Sequence, residues 1–237
     1  MAQQRLDKII ASTGRYSRRE VKTLVREGRV LVDGRIAASA EDKCDPLTAR
    51  ISVNGEELFY REHTYVMLHK PAGVLSATED GRGETVLDLL APEYRKIGLF
   101  PVGRLDKDTE GFVFITDDGA LAHKMLSPRS HVEKEYEVTL ERPAEESYKE
   151  LFASGMTIDG GEKCMPAQLF FTDDDHMVRL ILHEGKFHQV KRMMEAAGNK
   201  VTFLRRTRIG GIELDPTLPL GGCREILHKE TLKLYAK

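Results

Sequence analysis

Several features are scarce or missing in this chain, and each absence narrows the range of functions. No uninterrupted apolar run approaches the roughly 20 residues that a helix needs to cross a bilayer, so we expect no membrane-spanning segment. The opening residues, MAQQRLDKII, lack the apolar core of a secretory signal. The three cysteines stand far apart without a CxxC pair, and HExxH and GxxxxGK[ST] motifs are missing. These absences predict a cytoplasmic protein with reduced thiols, no zinc site and no P-loop.

Acidic and basic residues are almost equal in number but unevenly distributed along the chain. The 237 residues include 36 Lys and Arg and 38 Asp and Glu, for a net charge of −2. Residues 1–35 hold nine basic against four acidic side chains, and residues 183–208 hold seven against two. The rest of the chain is therefore acidic. This separation of charge favours a polyanion-binding face on an otherwise acidic body.

The first 60 residues predict a small domain of two helices followed by short strands. Residues 5–13 have apolar side chains at helical spacing. The sequence SRRE at 17–20 predicts a capping box that starts a second helix, and Gly28 is well placed to end it. Two later segments, RVLVDGR and ISVNGE, each indicate a strand followed by a tight turn.

The polar sides of these two helices carry a series of basic side chains. The series comprises Arg5, Lys8, Arg15, Arg18, Arg19, Lys22 and Arg26, with Arg29 just past the second helix. A solvated helix face is the simplest interpretation, but few acids lie between the cations, which favours contact with RNA phosphates. The stretch RLDKIIAS…SRREVKTLVREGRVLVDGR also resembles the S4 domain, a small module of ribosomal proteins and RNA-modifying enzymes. That resemblance implies structured RNA as a partner.

A larger second domain is expected over residues 61–237, after a linker at 57–66. Strand patterns occur in YVMLHK, GFVFIT, KEYEVTL, AQLFF, MVRLIL and KVTFLRRTRI, and helix patterns in TVLDLL, GALAHKML, AEESYKELFASG and KFHQVKRMMEAAG. Because strands and helices do not alternate regularly, we predict an α+β fold with a mixed or mostly antiparallel sheet. No long apolar seam is evident, so we expect a monomer.

The segment PVGRLDKDTEGF at 101–112 places three carboxylates, Asp106, Asp108 and Glu110, just before an apolar run. Its proline and glycines break regular structure and allow the backbone to approach a ligand closely. A charged hairpin loop is the simplest interpretation. Asp106 and Asp108 could also bind Mg²⁺, although no second acidic motif accompanies them. The remaining option is one carboxylate that acts without metal, as nucleophile or general base, and composition does not say which.

A second basic segment, EGKFHQVKRMMEAAGN, predicts a turn and then a helix. Val190, Met193 and Met194 fall at helical spacing and are expected to form its buried stripe. Lys191 and Arg192 would then project in another direction, where either cation could meet an acid.

Residues 65–215 resemble the pseudouridine synthases. GRLDKDTEG at 103–111 is similar to the active-site loop G-R-L-D-x-x-T-x-G of that family, and HKPAGV at 69–74 is similar to its preceding strand motif. KEYEV at 134–138 resembles the segment with the active-site tyrosine, and EGKFHQVKRMMEAAGN and RIGGI resemble the C-terminal motifs. Together with the S4-like module, the motif HQVKRM at 188–193 favours the RsuA-type branch, which modifies a uridine of the small-subunit (16S) ribosomal RNA.

The resemblance implies a role for each matching position. Asp106 aligns with the essential aspartate of the family. Arg104 is implied to hold the flipped-out nucleotide or its phosphate, and Tyr136 matches the tyrosine that packs against the target base. Lys191 stands where related branches have an arginine that pairs with the aspartate, with Arg192 as the rival.

The implied reaction breaks the N1–C1′ bond of uridine, rotates the base and joins C5 to C1′. It needs no redox step, so neither a cofactor nor a metal is expected. In the family, the aspartate is proposed to attack C1′, to act at the sugar through a glycal-type intermediate, or to attack C6 of the base. The sequence leaves these mechanisms open, and also whether free RNA or an assembly intermediate is the substrate.

Three other functions stay open at this stage. A synthase of the same family that acts on 23S ribosomal RNA would share these motifs. A non-catalytic RNA-binding protein would not need a carboxylate in the loop. A metal-dependent nuclease or phosphatase would use Asp106 and Asp108, although the chain shows neither a second acidic cluster nor histidines at a ligand spacing.

Overall fold

The structure, a computed structural model, describes residues 3–58, 60–92, 94, 97–127, 130 and 132–235. Two compact units divide the chain. The N-terminal unit comprises Met1–Thr64 and Leu90–Leu99, and the C-terminal unit comprises Tyr65–Leu89 and Phe100–Lys237. The domain boundary expected after residue 60 stays a prediction. Within the predicted linker at 57–66, Phe59 lies outside the described residues, as do the first two residues of the chain.

The described residues of the N-terminal unit form two helices and six short strands. These are α1 (Leu6–Ala11), α2 (Arg18–Arg26), β1 (Gln4–Arg5), β2 (Val30–Val32), β3 (Arg35–Ile36), β4 (Lys43–Cys44), β5 (Ile51–Val53) and β6 (Glu56–Leu58). Four strands form an antiparallel sheet in the order β3-β2-β5-β6, and β1 pairs with β4. The apolar faces of α1 and α2 pack with this sheet into one core, with Leu6, Ile9, Ile10, Val21, Leu24, Val25, Val30, Ile51 and Val53 among its buried members.

Local sequence signals explain where these elements begin and end. The backbone N–H of Glu20 donates to Ser17 Oγ at 3.2 Å, and the N–H of Ser17 donates to Glu20 Oε2 at 2.6 Å. This confirms the capping box. Gly28 follows α2 with a φ of +70°, which favours glycine. The Asp-Gly pair at 33–34 and the Asn-Gly pair at 54–55 both have positive φ, as type I′ hairpin turns require.

The C-terminal unit is built on one large sheet with helices around it. Its strands are β7 (Tyr65–Lys70), β8 (Phe100–Pro101), β9 (Glu110–Thr116), β10 (Lys134–Leu140), β11 (Thr157–Ile158), β12 (Glu162–Lys163), β13 (Gln168–Phe171), β14 (Met177–Leu182), β15 (Val201–Ile209), β16 (Ile212–Glu213) and β17 (Cys223–Glu225). Its helices are α3 (Gly119–Leu126), α4 (Ser147–Ala153), α5 (Gln189–Ala196) and α6 (His228–Thr231), with 3₁₀ turns at Asp159–Gly161 and Leu232–Tyr235.

The strand order of the large sheet is β13-β14-β10-β15-β9-β7-β17, with β16 beside β15 and β8 beside β9. Among the described strands, β9 and β15 run parallel, and the other pairs in this sheet are antiparallel. The predicted α+β fold with a mixed sheet is therefore confirmed. On one side, Ala122 and Met125 of α3 pack into a core with Met67, Phe112 and Phe114.

The helix predicted for TVLDLL is wrong, because residues 85–90 form a bridge residue and turns. Thr85 pairs with Leu75 in a parallel bridge, and the N–H of Val86 donates to the Leu75 carbonyl at 2.9 Å. The N–H and the hydroxyl of Thr85 both donate to Asp88 Oδ2. These bonds give the backbone an alternative to the helix, which apolar spacing alone does not reveal.

Gly111 is required where β9 meets β15. It pairs with Arg206, and a Cβ added at Gly111 would lie 2.2 Å from the Arg206 carbonyl oxygen. Its φ of +107° is also a conformation that side chains disfavour. Arg206 pairs on its other side with Tyr136 of β10. This close approach therefore brings the start of β9, and the loop ahead of it, near the strand that carries Tyr136.

Candidate active site

The loop ahead of β9 borders a cleft of about 640 Å³ in the C-terminal unit. The cleft is lined by residues from this loop, from β10 and β15, and from the turn before α5. Arg104, Asp106 and Tyr136 are among its lining residues. The loop that carries Arg104 and Asp106 and the strand that carries Tyr136, 30 residues after Asp106, thus contribute to one concave surface.

Buried hydrogen bonds fix the backbone on both sides of Asp106. The fully buried Lys70 ammonium donates to the carbonyls of Lys107 at 3.2 Å and Thr109 at 2.7 Å. Ser76 exchanges two hydrogen bonds with the backbone of Leu105, at 2.9 and 3.0 Å. Burial lowers the pKa of Lys70 to about 8, against the opposing effect of the nearby carboxylates. These bonds tie the backbone of the loop to the buried side chains of Lys70 and Ser76.

Asp106 lies beside two cationic or ionisable side chains of the α5 segment. Its Oδ2 is 3.2 Å from Lys191 Nζ, and its Oδ1 is 3.6 Å from His188 Nε2. The carboxylate is about one quarter exposed, since its side-chain relative accessibility is 24%. Asp106 is thus both reachable from the cleft and electrostatically paired.

Lys191 also pairs with Asp108, at 2.6 Å from its Oδ1. Burial lowers the pKa of Lys191, but hydrogen bonds with Asp108 and Asp106 outweigh it and raise the pKa overall. The Lys191 hydrogen bond in turn lowers the pKa of Asp108. Asp108 is mostly exposed and is a direct partner of Lys191.

Tyr136 is buried in β10 at the cleft, next to two further cations. Arg206, its neighbour on β15, donates from Nε to the Phe112 carbonyl at 2.8 Å, while its buried Nη2 has no hydrogen-bond partner among the described residues. Lys134, two residues before Tyr136, also lines the cleft. Burial, with a further contribution from Arg206, lowers the pKa of Lys134 to about 8. The Tyr136 ring and the basic side chains of Arg206 and Lys134 therefore lie along the same wall of the cleft.

Arg192 is engaged away from Asp106. Its guanidinium pairs with Asp159, with Glu162 Oε2 at 2.9 Å, and with the Phe187 carbonyl at 3.1 Å. The structure thus brings Lys191, rather than Arg192, to Asp106. Arg104 is exposed at the cleft. The substrate-binding roles expected for Arg104, Tyr136, Lys191 and Arg192 remain predictions.

Three residues at this site make contacts that sequence reasoning did not predict: Lys70, Lys134 and His188. A lysine at the end of the apolar run YVMLH was a usable signal, since a buried lysine needs partners. The position of the His188 ring is harder to predict. It depends on a left-handed backbone with φ of +48°, which no local sequence pattern indicates. The position of Lys134 in the cleft depends on the pairing of β10 with distant strands.

In the N-terminal unit, four of the basic residues expected to bind RNA border one shallow depression. They are Arg5, Arg18, Arg19 and Lys22, and the buried Asp7 lies with them. Arg5 donates to Asp7 at 2.9 Å and to Glu41 at 3.0 Å. Burial raises the pKa of Asp7, but its bonds with Arg5 outweigh this effect and lower it overall.

The other basic residues of the series differ in their surroundings. Lys8 is exposed on α1. Arg26 donates to the Lys22 carbonyl at 3.3 Å, and Arg29 donates to Asn54 Oδ1 at 2.6 Å. The basic side chains therefore do not form one uniform surface, and their contact with RNA stays a prediction.

No helix in the described part of the chain is long and apolar enough to cross a membrane. No group of three or more His, Cys, Asp or Glu side chains within the same residues is arranged to hold a metal ion.

Known families account for both units of the chain. Residues 64–196 match the RNA pseudouridylate synthase family, and residues 4–46 match the S4 domain. The chain therefore belongs to the RNA pseudouridylate synthases, and it carries an S4 domain ahead of the catalytic domain. The resemblance that the motifs indicated is confirmed, and with it the class of enzyme, an RNA-modifying isomerase.

Individual relatives match over nearly the whole length. The chain is 46% identical over 229 residues to an uncharacterized RNA pseudouridine synthase of Bacillus subtilis, covering 95% of this chain and 96% of that protein. It is 40% identical over 227 residues to the ribosomal small subunit pseudouridine synthase A of Escherichia coli, covering 95% and 97%. A crystal structure of a pseudouridylate synthase, 37% identical, matches with a TM-score of 0.68 over 98% of this chain and 99% of that one.

Proposed function

We propose that this protein converts one uridine of 16S ribosomal RNA to pseudouridine without a cofactor, and that Asp106 is its catalytic carboxylate. One observation carries the proposal: Asp106 is partly exposed in a cleft, paired with Lys191 at 3.2 Å, and Tyr136 lines the same cleft. A pure RNA-binding surface does not need a carboxylate in this position, since a negative charge repels phosphate.

The chemistry is an internal exchange of bonds. The N1–C1′ bond breaks, the uracil turns, and C5 bonds to C1′. The proton on C5 leaves and N1 gains one, so the atoms and electrons of substrate and product balance. Asp106 supplies negative charge at the ribose, where positive charge develops as the glycosidic bond breaks. No oxidant, reductant or external energy enters these steps.

The surrounding residues fit the needs of such a reaction. The Lys191 ammonium, 3.2 Å from Asp106, holds that carboxylate in a fixed orientation. Tyr136 offers a ring on which the detached uracil can remain while it turns, and Arg104 offers a cation for the phosphate of the flipped nucleotide. The target uridine must leave its stack to reach this cleft, so an unpaired or weakly paired uridine is the favoured substrate.

The identity of the RNA rests on two supports. The Escherichia coli relative is named a ribosomal small subunit pseudouridine synthase, as is a relative from Vibrio cholerae that is 40% identical over 232 residues. The basic depression of the N-terminal unit offers phosphate contacts for structured RNA. We further propose that the enzyme works as a monomer in the cytoplasm, on ribosomal RNA that is still in assembly.

The decisive experiment maps pseudouridine in ribosomal RNA from cells with and without the gene, by carbodiimide modification and primer extension. We expect one site in 16S RNA to disappear on deletion and to return when the gene is restored. Loss of a site in 23S RNA instead would keep the reaction and change the substrate. If no site disappears and the purified protein modifies neither RNA, the catalytic proposal is wrong.

Two matched variants of the loop identify the carboxylate. Asp106→Asn is expected to lower kcat by about 10³-fold or more, because it removes the charge at the ribose. Asp108→Asn makes the same change two residues away and should alter kcat only a few-fold, since Asp108 is mostly exposed. RNA affinity should stay similar in both. Full activity of Asp106→Asn would show that another group performs the chemistry.

A further inference from the structure

An exposed aromatic ring stands at the cleft. Phe187 is 76% exposed although it is one of the largest apolar side chains, and it lines the same cleft as Asp106. Its ring stacks on the ring of His188, with centroids 3.8 Å apart and planes 18° from parallel. His188 Nε2 in turn lies 3.6 Å from Asp106. A continuous series of contacts thus leads from an exposed aromatic face to the candidate catalytic carboxylate.

The turn that presents this ring is held in place by several polar contacts. Gln189 accepts from the N–H of Lys186 at 2.9 Å and donates to Glu184 Oε1 at 2.8 Å. Arg192 donates to the Phe187 carbonyl at 3.1 Å, and its guanidinium is fixed by the carboxylates described above. Arg192 therefore acts on the position of this turn.

The backbone at His188 adds a further constraint. His188 adopts a left-handed conformation with φ of +48°, which few residues other than glycine adopt, although histidine is among the types enriched there. Such conformations persist where the surrounding contacts determine them, and they occur often at functional sites. Here the conformation sets the two rings of Phe187 and His188 face to face at the cleft.

An exposed aromatic ring at a cationic cleft is suited to bind an unpaired nucleobase. Arg104, Lys107 and Lys186 line the cleft along with Phe187 and attract the phosphates of a nucleic acid. Every nucleobase has an aromatic face, and stacking on an exposed ring is a common way to hold an unpaired base. Tyr136 is buried in the wall of the cleft, whereas Phe187 is exposed, so the two rings offer separate places for bases.

We propose that Phe187, supported by His188, stacks on a nucleobase that neighbours the target uridine and so positions the RNA strand for Asp106. This inference rests on the proposed function for the identity of the target, but its test measures RNA binding independently of turnover. Phe187 is a positioning residue, since it contacts the neighbouring base and acts on the reaction through strand placement.

The test compares substitutions of two exposed phenylalanines. Phe187→Leu removes the aromatic face, whereas Phe187→Trp keeps one. Phe203→Leu is the matched control: Phe203 is 38% exposed on β15, and its side chain points opposite to the adjacent Leu204, which lines the cleft. The probe is a ribosomal RNA fragment around the uridine found by mapping, or the full 16S transcript if mapping finds none.

We expect Phe187→Leu to weaken RNA affinity and raise KM about tenfold, the effect of one lost base stack, while kcat changes less than threefold. Phe187→Trp and Phe203→Leu should retain wild-type values. The affinity for RNA is also measured for double variants that combine Asp106→Asn with each substitution of Phe187 or Phe203. An RNA-binding protein without turnover would still show the loss of affinity, so failure of the proposed function and failure of this inference are distinguishable.

Abasic substrates locate the stacked base. Removing the nucleobase on one side of the target uridine should weaken binding to the wild type about tenfold, yet cause no further loss in Phe187→Leu. Equal affinity of wild type and Phe187→Leu would overturn the inference. So would additive losses for the abasic positions on both sides of the target, because Phe187 would then act on another part of the RNA.

Discussion

The Lys191 ammonium lies 3.2 Å from the Asp106 carboxylate and joins helix α5 to the loop ahead of β9. These residues are far apart in the sequence, and Lys191 projects from a helix whose apolar face is buried through Val190, Met193 and Met194. The packing of that apolar face thus aims the cation at the candidate catalytic acid. A second carboxylate, Asp108, holds the same ammonium from the loop.

The first prediction concerns the charge of Lys191. Lys191→Met should lower kcat about 100-fold, because Asp106 loses the cation that orients it. Lys191→Arg should recover most of the activity, since it restores a cation. Lys200→Met, an exposed lysine in the segment after α5, serves as the control and should leave kcat unchanged. Single-turnover kinetics measure the chemical step. Equal kcat for Lys191→Met and wild type would contradict the pairing.

The second prediction concerns pH and the buried Lys70. Its pKa is about 8 in the folded protein, against an ordinary value of 10.5. Between these two values the unfolded chain holds the proton and the folded chain has released it, so the free energy of unfolding rises with pH. Between pH 7.5 and pH 10, wild type should gain about 1–3 kcal/mol relative to Lys70→Met. Urea denaturation at several pH values measures this difference.

The control for this pH effect is Lys107→Met. Lys107 is an exposed lysine of the same loop, so its removal controls for the loss of a lysine side chain without the loss of a buried ammonium. A difference between wild type and Lys70→Met that does not change with pH would mean that Lys70 keeps an ordinary pKa in the folded protein.

The third prediction concerns Gly111. Gly111→Ala places a Cβ 2.2 Å from the Arg206 carbonyl oxygen and forces a side chain into a φ of +107°. The parallel pairing of β9 with β15 must then separate, and the free energy of unfolding should fall by about 3 kcal/mol or more. Gly119→Ala, at the start of α3 where an added Cβ meets no atom within 4 Å, should change it by less than about 1 kcal/mol. Thermal unfolding of both variants tests this.

The fourth prediction concerns RNA binding by the N-terminal unit. The triple variant replaces three cations of the basic depression with glutamine: Arg18, Arg19 and Lys22. Its binding constant for 16S RNA should fall, and the slope of log K against log salt should become shallower by about two. The control triple variant replaces exposed cations of the same unit outside this depression: Arg35, Lys43 and Arg50. If both triple variants show the same slope, the depression does not contact phosphate.

Much of the fold could be read from local patterns. The capping box of α2, the two hairpin turns and the strands KEYEVTL and MVRLIL occur where the sequence predicted them. Each of these signals acts over a few residues, through side-chain caps, positive φ or alternating burial. The prediction for TVLDLL failed because Thr85 pairs with Leu75, ten residues upstream, and hydrogen-bonds to Asp88, and apolar spacing indicates neither contact.

The candidate site was also predictable only in part from the sequence. The amino-acid sequence by itself determined the residue types: a carboxylate in a glycine-flanked loop, a tyrosine in a strand and adjacent cations on a helix. Only the tertiary structure decided that Lys191 meets Asp106 while Arg192 holds the Phe187 turn, and that Lys70 fixes the loop from within. The physical reason is range: helix caps and turns are bonds between near neighbours, whereas pairing between charges depends on where packed strands and helices bring distant side chains together.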